Sequence, residues 1–232
     1  MCNKMTRVRI KMCGVTRLTD ARVAVTAGVD ALGFIFHQKS GRNISPDKAR
    51  KIIKELPPFI ATVGVFVDKK RREVEEIIEY CRLAYAQLHG RETPKYCERL
   101  ARFAAPCQVV KAFRVSPALT AEDIHPYDTH VCGYLLDTYH RKVAGGTGET
   151  FDWNLIVGLG LQRPLLLAGG LNPDNITAAL KAARPYAVDV NSGLETEPGI
   201  KDHALIRKLV RRVRAFENEC NGDAAVKQQL PG

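Results

Sequence analysis

The chain has 232 residues, 45% of them hydrophobic, with 35 Lys and Arg against 25 Asp and Glu and a formal net charge of +10. That length suits one large α/β domain or two small ones, with enough apolar content for a proper core. No window approaches the roughly 18 uninterrupted apolar residues of a membrane span, the opening MCNKMTRVRIKM lacks the apolar stretch of a secretory leader, and seven scattered cysteines with no C-x-x-C pair fit a reducing cytosol better than a disulfide framework.

The first apolar run, VRIKM (8–12), reads as a strand that leads into Cys13. Alternation at period 2 puts Arg9, Lys11 and Cys13 on one face and Val8, Ile10 and Met12 on the other. A helix over TDARVAVTAG (19–28) follows, with a capping threonine and a closing glycine, and then a strand at ALGFIF (31–36). SPDKARKIIKEL (45–56) has serine before a proline at the first helical position. IATVGVFV (60–67) is the third strand, and KKRREVEE (69–76) is a charged, solvated helical stretch. LAYAQLH (83–89) and QVVKAF (108–113) are the fourth and fifth strands. The link from 114 to 130 carries only SPALTAEDI, so the fifth helix is expected to be short or irregular. VCGYLLD (131–137), PLLLAG (164–169) and YAVDVN (186–191) complete the strands, with a helix over NPDNITAALKAA (172–183) between the last two. RKLVRRVR (207–214) has Leu209, Val210 and Val213 at helical spacing, so its arginines form the solvated face of an amphipathic helix. NGDAAVKQQLPG (221–232) shows no periodicity, and residues 218–232 read as a disordered tail outside a catalytic domain of 1–217.

The strands recur at intervals that suit a βα repeat and are too long for a hairpin meander. Several, such as PLLLAG, are apolar almost throughout, as parallel strands covered on both faces should be. Eight such units without a linker predict an α/β chain folded as a single (β/α)8 TIM barrel. A doubly wound open sheet is the alternative, but no G-x-G-x-x-G follows the first strand.

Chemistry in such a barrel belongs to the C-terminal strand ends. The polar residues that end the runs are Cys13, His37, Asp68, His89, Arg114, Asp137 and the pair Asp189 and Asn191. Lys11 and Cys13 should point into the barrel, with Cys13 near solvent and a cation, an environment that lowers a thiol's pKa. Three glycine clusters, AGGTGET (144–150), AGGL (168–171) and NSGLE (191–195), occupy the last third. The last two follow the seventh and eighth strands, where backbone N–H groups commonly hold a phosphate. Tight turns that need glycine for geometry alone are the other reading.

The chain resembles the phosphoribosylanthranilate isomerase family of tryptophan biosynthesis from about residue 7 to about 215. The likeness is carried by "IKMCGVTRLTDA", "DALGFIF", "SGRNISPDKAR", "VGVFVD", "AQLHG", "LLDT", "GGTGETFDW", "LLLAGGLNPDN" and "AVDVNSGLETEPGIKD", in that order. The resemblance implies an Amadori rearrangement of N-(5-phosphoribosyl)anthranilate, an aldose–ketose isomerisation needing neither metal nor cofactor. The family's base is a cysteine ending the first strand and its acid an aspartate ending the sixth, which match Cys13 and Asp137. Its arginine for the anthranilate carboxylate matches Arg42, in a loop where Gly41 and Asn43 replace the usual proline and tyrosine, so the loop is expected to be more flexible. Gly146, Gly148, Gly169, Gly170, Asn191, Ser192 and Gly193 stand where the phosphate would be held. His89 is either a wall residue or a proton shuttle. Asp189 either orients substrate hydroxyls or holds a cation inside the barrel.

These readings make the partner a small anionic phosphosugar, with no nucleic acid and no membrane, for a cytoplasmic monomer or homodimer. Rivals are another phosphate-binding barrel, such as a metal-dependent epimerase using His37, Asp68 and His89, and a basic RNA-binding module.

Overall fold

The computed structural model describes residues 7–137, 156 and 158–227, with the side chains of the last helix described as far as residue 221. Eight parallel strands close into a barrel in sequence order. They are β1 (Arg9–Met12), β2 (Ala31–Ile35), β3 (Ala61–Phe66), β4 (Tyr85–Leu88), β5 (Gln108–Arg114), β6 (Gly133–Asp137), β7 (Leu165–Ala168) and β8 (Ala187–Val190). The ring closes between β1 and β8, with Lys11 opposite Asp189 and Met12 opposite Val190. Seven lie within the expected apolar runs, and β5 extends one residue beyond its run to Arg114.

The two faces of each strand separate cleanly. Ile10, Met12, Leu32, Phe34, Leu88, Tyr134, Leu136 and Leu167 belong to the shell between barrel and helices, packed with Ala21, Ile52, Val74, Leu100, Leu209 and Val213. Each large side chain fully buried there contributes roughly 1.5–3 kcal/mol. Val110, Ala112, Leu135 and Ala168 form a separate interior cluster, and Cys13, Ile35 and Val65 another. Lys11 and Cys13 therefore do face inward, as alternation predicts.

The described helices are α1 (Leu18–Ala27), α2 (Pro46–Lys54), α3 (Arg71–Cys81), α4 (Pro94–Phe103), α5 (Ala121–Ile124), α6 (Ile176–Ala183) and α7 (His203–Lys227). Ser45 caps α2 by accepting from the Lys48 N–H, ahead of Pro46, as its sequence implies. Gly28 ends α1 in the left-handed region. Thr19 is not the cap of α1, however. The chain is already helical at Leu18, Arg17 stands at the cap position, and its guanidinium reaches forward to Asp20 (Nη2–Oδ1 2.7 Å). In α6 the turn before the helix is closed by Asn172, whose Oδ1 accepts from the N–H groups of Asp174 and Asn175. The fifth helix is a single turn closed by a Thr120–Asp123 capping box and followed by a 3-10 turn at His125–Tyr127.

Helix α7 runs past residue 218, where the sequence suggested an irregular tail, to Lys227. A helix anchored by Leu209, Val213 and Phe216 propagates through Asn221 and Gly222 because each added bond fixes only one more residue. After β8 a 3-10 turn (Ser192–Leu194) leads into an antiparallel hairpin of β9 (Glu195–Glu197) and β10 (Ile200–Lys201). Gly146 and Gly148 lie outside the described residues.

Candidate active site

At the C-terminal mouth of the barrel a cavity of about 430 Å³ is lined by Cys13, Arg42, Gln87, His89, Asp137 and Asp189, with Gly169, Gly170, Asn191 and Ser192 on one wall. His37, Asp68 and Arg114 end their strands without lining it. Asp68 is turned toward the loop after β4, where its Oδ1 accepts from the Arg91 N–H at 2.6 Å. Among the described residues no three His, Cys, Asp or Glu side chains gather as ligands would.

Cys13 is placed by β1, whose register with β8 also sets Lys11 beside Asp189 (Nζ–Oδ2 2.8 Å). All three sit at the inner surface, and β2 makes room for them through Gly33. A Cβ at Gly33 would stand 2.9 Å from Cys13 Sγ and 3.1 Å from Lys11 Nζ, so any larger residue would push thiol and ammonium aside. Cys13 is only 4% exposed, packed against Ile35 and Val65. This corrects the expectation of a solvent-facing thiol with a lowered pKa. Burial pushes the thiol up, and Lys11, which favours the thiolate, does not fully offset it. Burial alone would lower the Lys11 pKa, but Asp189 and Cys13 outweigh it and raise it, so the ammonium stays charged. Asp189 thus holds a cation inside the barrel, while its Oδ1 is buried with no protein hydrogen bond. Asp189 also lines the cavity.

On the opposite wall His89 links two neighbours. Its Nδ1 lies 3.1 Å from Gln87 Nε2 and its Nε2 lies 3.4 Å from Asp137 Oδ2. His89 thus stands in the cavity wall between Gln87 and Asp137. The turn that carries it is pinned by a buried pair, Lys111–Glu92 at 3.1 Å. Lys111 Nζ also donates to the carbonyls of Leu88 and Gly90, and Glu92 accepts from the N–H groups of Asp68 and Gly90.

Arg42 stands on the loop after β2. The replacements Gly41 and Asn43 do not leave that loop untied. Asn43 bridges back to Ile35, the Ile44 N–H donates to the Ile35 carbonyl at 3.0 Å, and the Arg42 N–H donates to Ser40 Oγ at 3.1 Å. The guanidinium reaches the cavity rim and is gripped by Glu195, with Nε–Oε1 at 3.0 Å and Nη2–Oε2 at 2.7 Å. Glu195 in turn accepts from Lys201 Nζ at 2.7 Å, and Lys201 also donates to Asn191 Oδ1 at 2.9 Å.

The glycine wall joins the loops after β7 and β8. Gly169 and Gly170 both adopt positive φ, at 101° and 63°. Gly193 does not line the cavity. A Cβ there would overlap the carbonyl oxygen of Leu171 and lie 2.8 Å from Asn172 Cβ, so this glycine is what lets the two loops touch. Gln87, Glu195 and Lys201 are the site residues that strand-end reasoning misses. Gln87 shares a face with His89 at period 2, and the other two lie inside the quoted "LETEPGIK".

The family model for N-(5'-phosphoribosyl)anthranilate (PRA) isomerase matches residues 10–212. The enzyme of that name from Geobacter sulfurreducens is 46% identical over 209 residues, spanning 90% of this chain and all of its own. The crystal structure of phosphoribosyl anthranilate isomerase from Thermotoga maritima superposes with a TM-score of 0.79 at 42% identity, covering 90% of this chain and 99% of that one. A phosphoribosyl anthranilate isomerase crystallised with reduced 1-(o-carboxyphenylamino)-1-deoxyribulose 5-phosphate gives 0.77 at 40%, with the same coverage. With the match spanning the whole barrel and every strand that shapes the cavity, the chain belongs to the N-(5'-phosphoribosyl)anthranilate isomerase family.

Proposed function

We propose that this cavity carries out the family's Amadori rearrangement with Asp137 as general acid and Cys13 as general base. The observation that carries the assignment is that these two groups line one cavity on opposite walls, with a glycine-rich wall beside them. Asp137 gives its proton to the ribose ring oxygen as the C1–O bond breaks, and the anthranilate nitrogen lone pair forms the C=N bond of a Schiff base. The Cys13 thiolate then takes the proton from C2. The C–H electrons form the C1=C2 double bond, the C=N electrons return to nitrogen, and the enolamine tautomerises to the ketone. Each proton transfer contributes about 10²–10⁴ in rate.

The remaining groups fit the substrate's parts. Arg42 takes the carboxylate as a charge-assisted pair. Backbone N–H groups of Gly169, Gly170 and Ser192, with the Asn191 side chain, take the phosphate, and Gly193 allows that wall to close. Asp189 accepts from a ribose hydroxyl. The cavity volume falls in the range of roughly 300–1,000 Å³ typical of small-molecule sites. The six described cysteines are free, and among the described residues no helix is long and apolar enough to cross a membrane. We place the enzyme in the cytoplasm.

The raised thiol fixes the sign of the pH dependence. The working state needs Asp137 protonated and Cys13 deprotonated. When the acid is the stronger of the two, the fraction in that state is constant between their pKa values and falls on either side. kcat/KM is therefore expected to be flat across neutrality and to drop on the alkaline side above the ordinary thiol value of 9.0. In Cys13→Ser the residual rate should lose that alkaline limb. A limb that persists unchanged in the serine variant would belong to another group and count against the assignment.

A further inference from the structure

We propose that Glu195 is the positioning residue that aims Arg42 at the substrate's carboxylate, with Lys201 cancelling the charge Glu195 brings. This rests on the reading of Arg42 as the carboxylate receptor.

A free arginine on a loop has many rotamers, and a bidentate contact with a carboxylate needs one of them. Here Glu195 takes the Nε and Nη2 edge of the guanidinium. Nη1 has no partner among the described residues, and Arg42 lines the cavity, so the outer edge is left for an incoming anion. Glu195 is itself held. Its side chain is 4% exposed, and Oε1 accepts from Lys201 Nζ at 2.7 Å and from the Gly199 N–H at 3.2 Å. Lys201, fully buried, also donates to the Asn191 carbonyl and to Asn191 Oδ1, at 3.1 and 2.9 Å. The hairpin of β9 and β10 thus fixes Arg42 to the end of β8, on the wall assigned to phosphate.

The charges add up to a receptor for one anion. A lone carboxylate behind Arg42 would neutralise it and weaken its pull on the substrate. Lys201 restores one net positive charge to the cluster, and it does so from a buried position where it cannot itself reach out to solvent. Burial would raise the Glu195 pKa, but hydrogen bonds from Arg42 and Lys201 outweigh it and hold the carboxyl below its ordinary value. The ionised Arg42–Glu195 pair is thereby favoured, while burial lowers the Lys201 pKa against the opposing pull of Glu195.

The test compares binding of two stable ligands by calorimetry: reduced 1-(o-carboxyphenylamino)-1-deoxyribulose 5-phosphate and its counterpart made from aniline, which lacks the carboxylate. Wild type should prefer the carboxylated ligand strongly. Glu195→Gln should cut that preference about tenfold or more, leave affinity for the aniline ligand within about twofold, and raise KM with little change in kcat. Glu195→Asp should restore part of the preference. Arg42→Ala is the control. If it abolishes the preference while Glu195→Gln keeps it, Arg42 needs no positioning and the proposal falls alone. If neither variant changes the preference, the Arg42 reading fails and takes this one with it. Equal loss of affinity for both ligands in Glu195→Gln would overturn the proposal in favour of a structural role.

Discussion

Cys13→Ser and Asp137→Asn should each lower kcat by about a hundredfold or more while leaving the barrel folded. The loss corresponds to roughly 3–5 kcal/mol of barrier for each proton transfer. Serine fills nearly the same space against Ile35 and Val65, so the core is undisturbed, but its hydroxyl is far too weak an acid to supply an anion beside Lys11. Asparagine keeps the shape of Asp137 and its place near His89 but has no acidic proton to give. The double variant should be scarcely worse than either single one, because groups that act in one sequence fail together. Turnover of phosphoribosylanthranilate, generated in situ and followed by its fluorescence, reads all three. Retention of the wild-type rate by Cys13→Ser would return Cys13 to the role of core filler.

Lys11→Met should destabilise the barrel by about 3–5 kcal/mol, the usual consequence of leaving a buried charge without its partner. Lys11 and Asp189 are both buried, and Asp189 Oδ1 already lacks a protein hydrogen bond. Removing the ammonium would leave the carboxylate with neither oxygen paired by it, at the centre of the barrel. The companion variant Lys11→Met/Asp189→Leu removes both charges and should regain most of the stability. It should not regain activity, because the cation beside Cys13 and the acceptor facing the cavity are both gone. Urea unfolding of the two variants measures the first part, and turnover the second. A single variant as stable as wild type would mean that Asp189 is protonated or solvated in the folded barrel.

The barrel was legible because its rules are local. A run such as PLLLAG has to be covered on both faces, and alternation along VRIKM sorts Lys11 from Ile10 and Met12 without any knowledge of the partner strand. Strand ends then name Cys13, His89, Asp137 and Asp189 as wall residues, and the structure brings these together. What stayed hidden depends on distance through space. The burial of Cys13 comes from Ile35 and Val65 on two other strands, so the sequence suggests a cation's help while concealing the stronger desolvation. Glu195 meets Arg42 across 153 positions of chain, and nothing near either residue announces the pairing. The start of α1 was misread by one short step because Thr19 is a good cap by type, whereas the turn is set by Arg17 and Asp20. Asp68 shows the opposite error, since a polar residue at a strand end can be taken up by a neighbouring loop.

The most direct test of the acid–base assignment is turnover of substrate carrying deuterium at C2, compared with ordinary substrate, in wild type, Cys13→Ser and Asp137→Asn. If Cys13 takes the C2 proton, the residual rate of Cys13→Ser should be slowed by deuterium as a primary isotope effect, because that transfer now limits turnover. Asp137→Asn should be insensitive, since ring opening then comes first and is slow. The reverse pattern, with deuterium slowing Asp137→Asn and leaving Cys13→Ser untouched, would contradict the account and exchange the two roles.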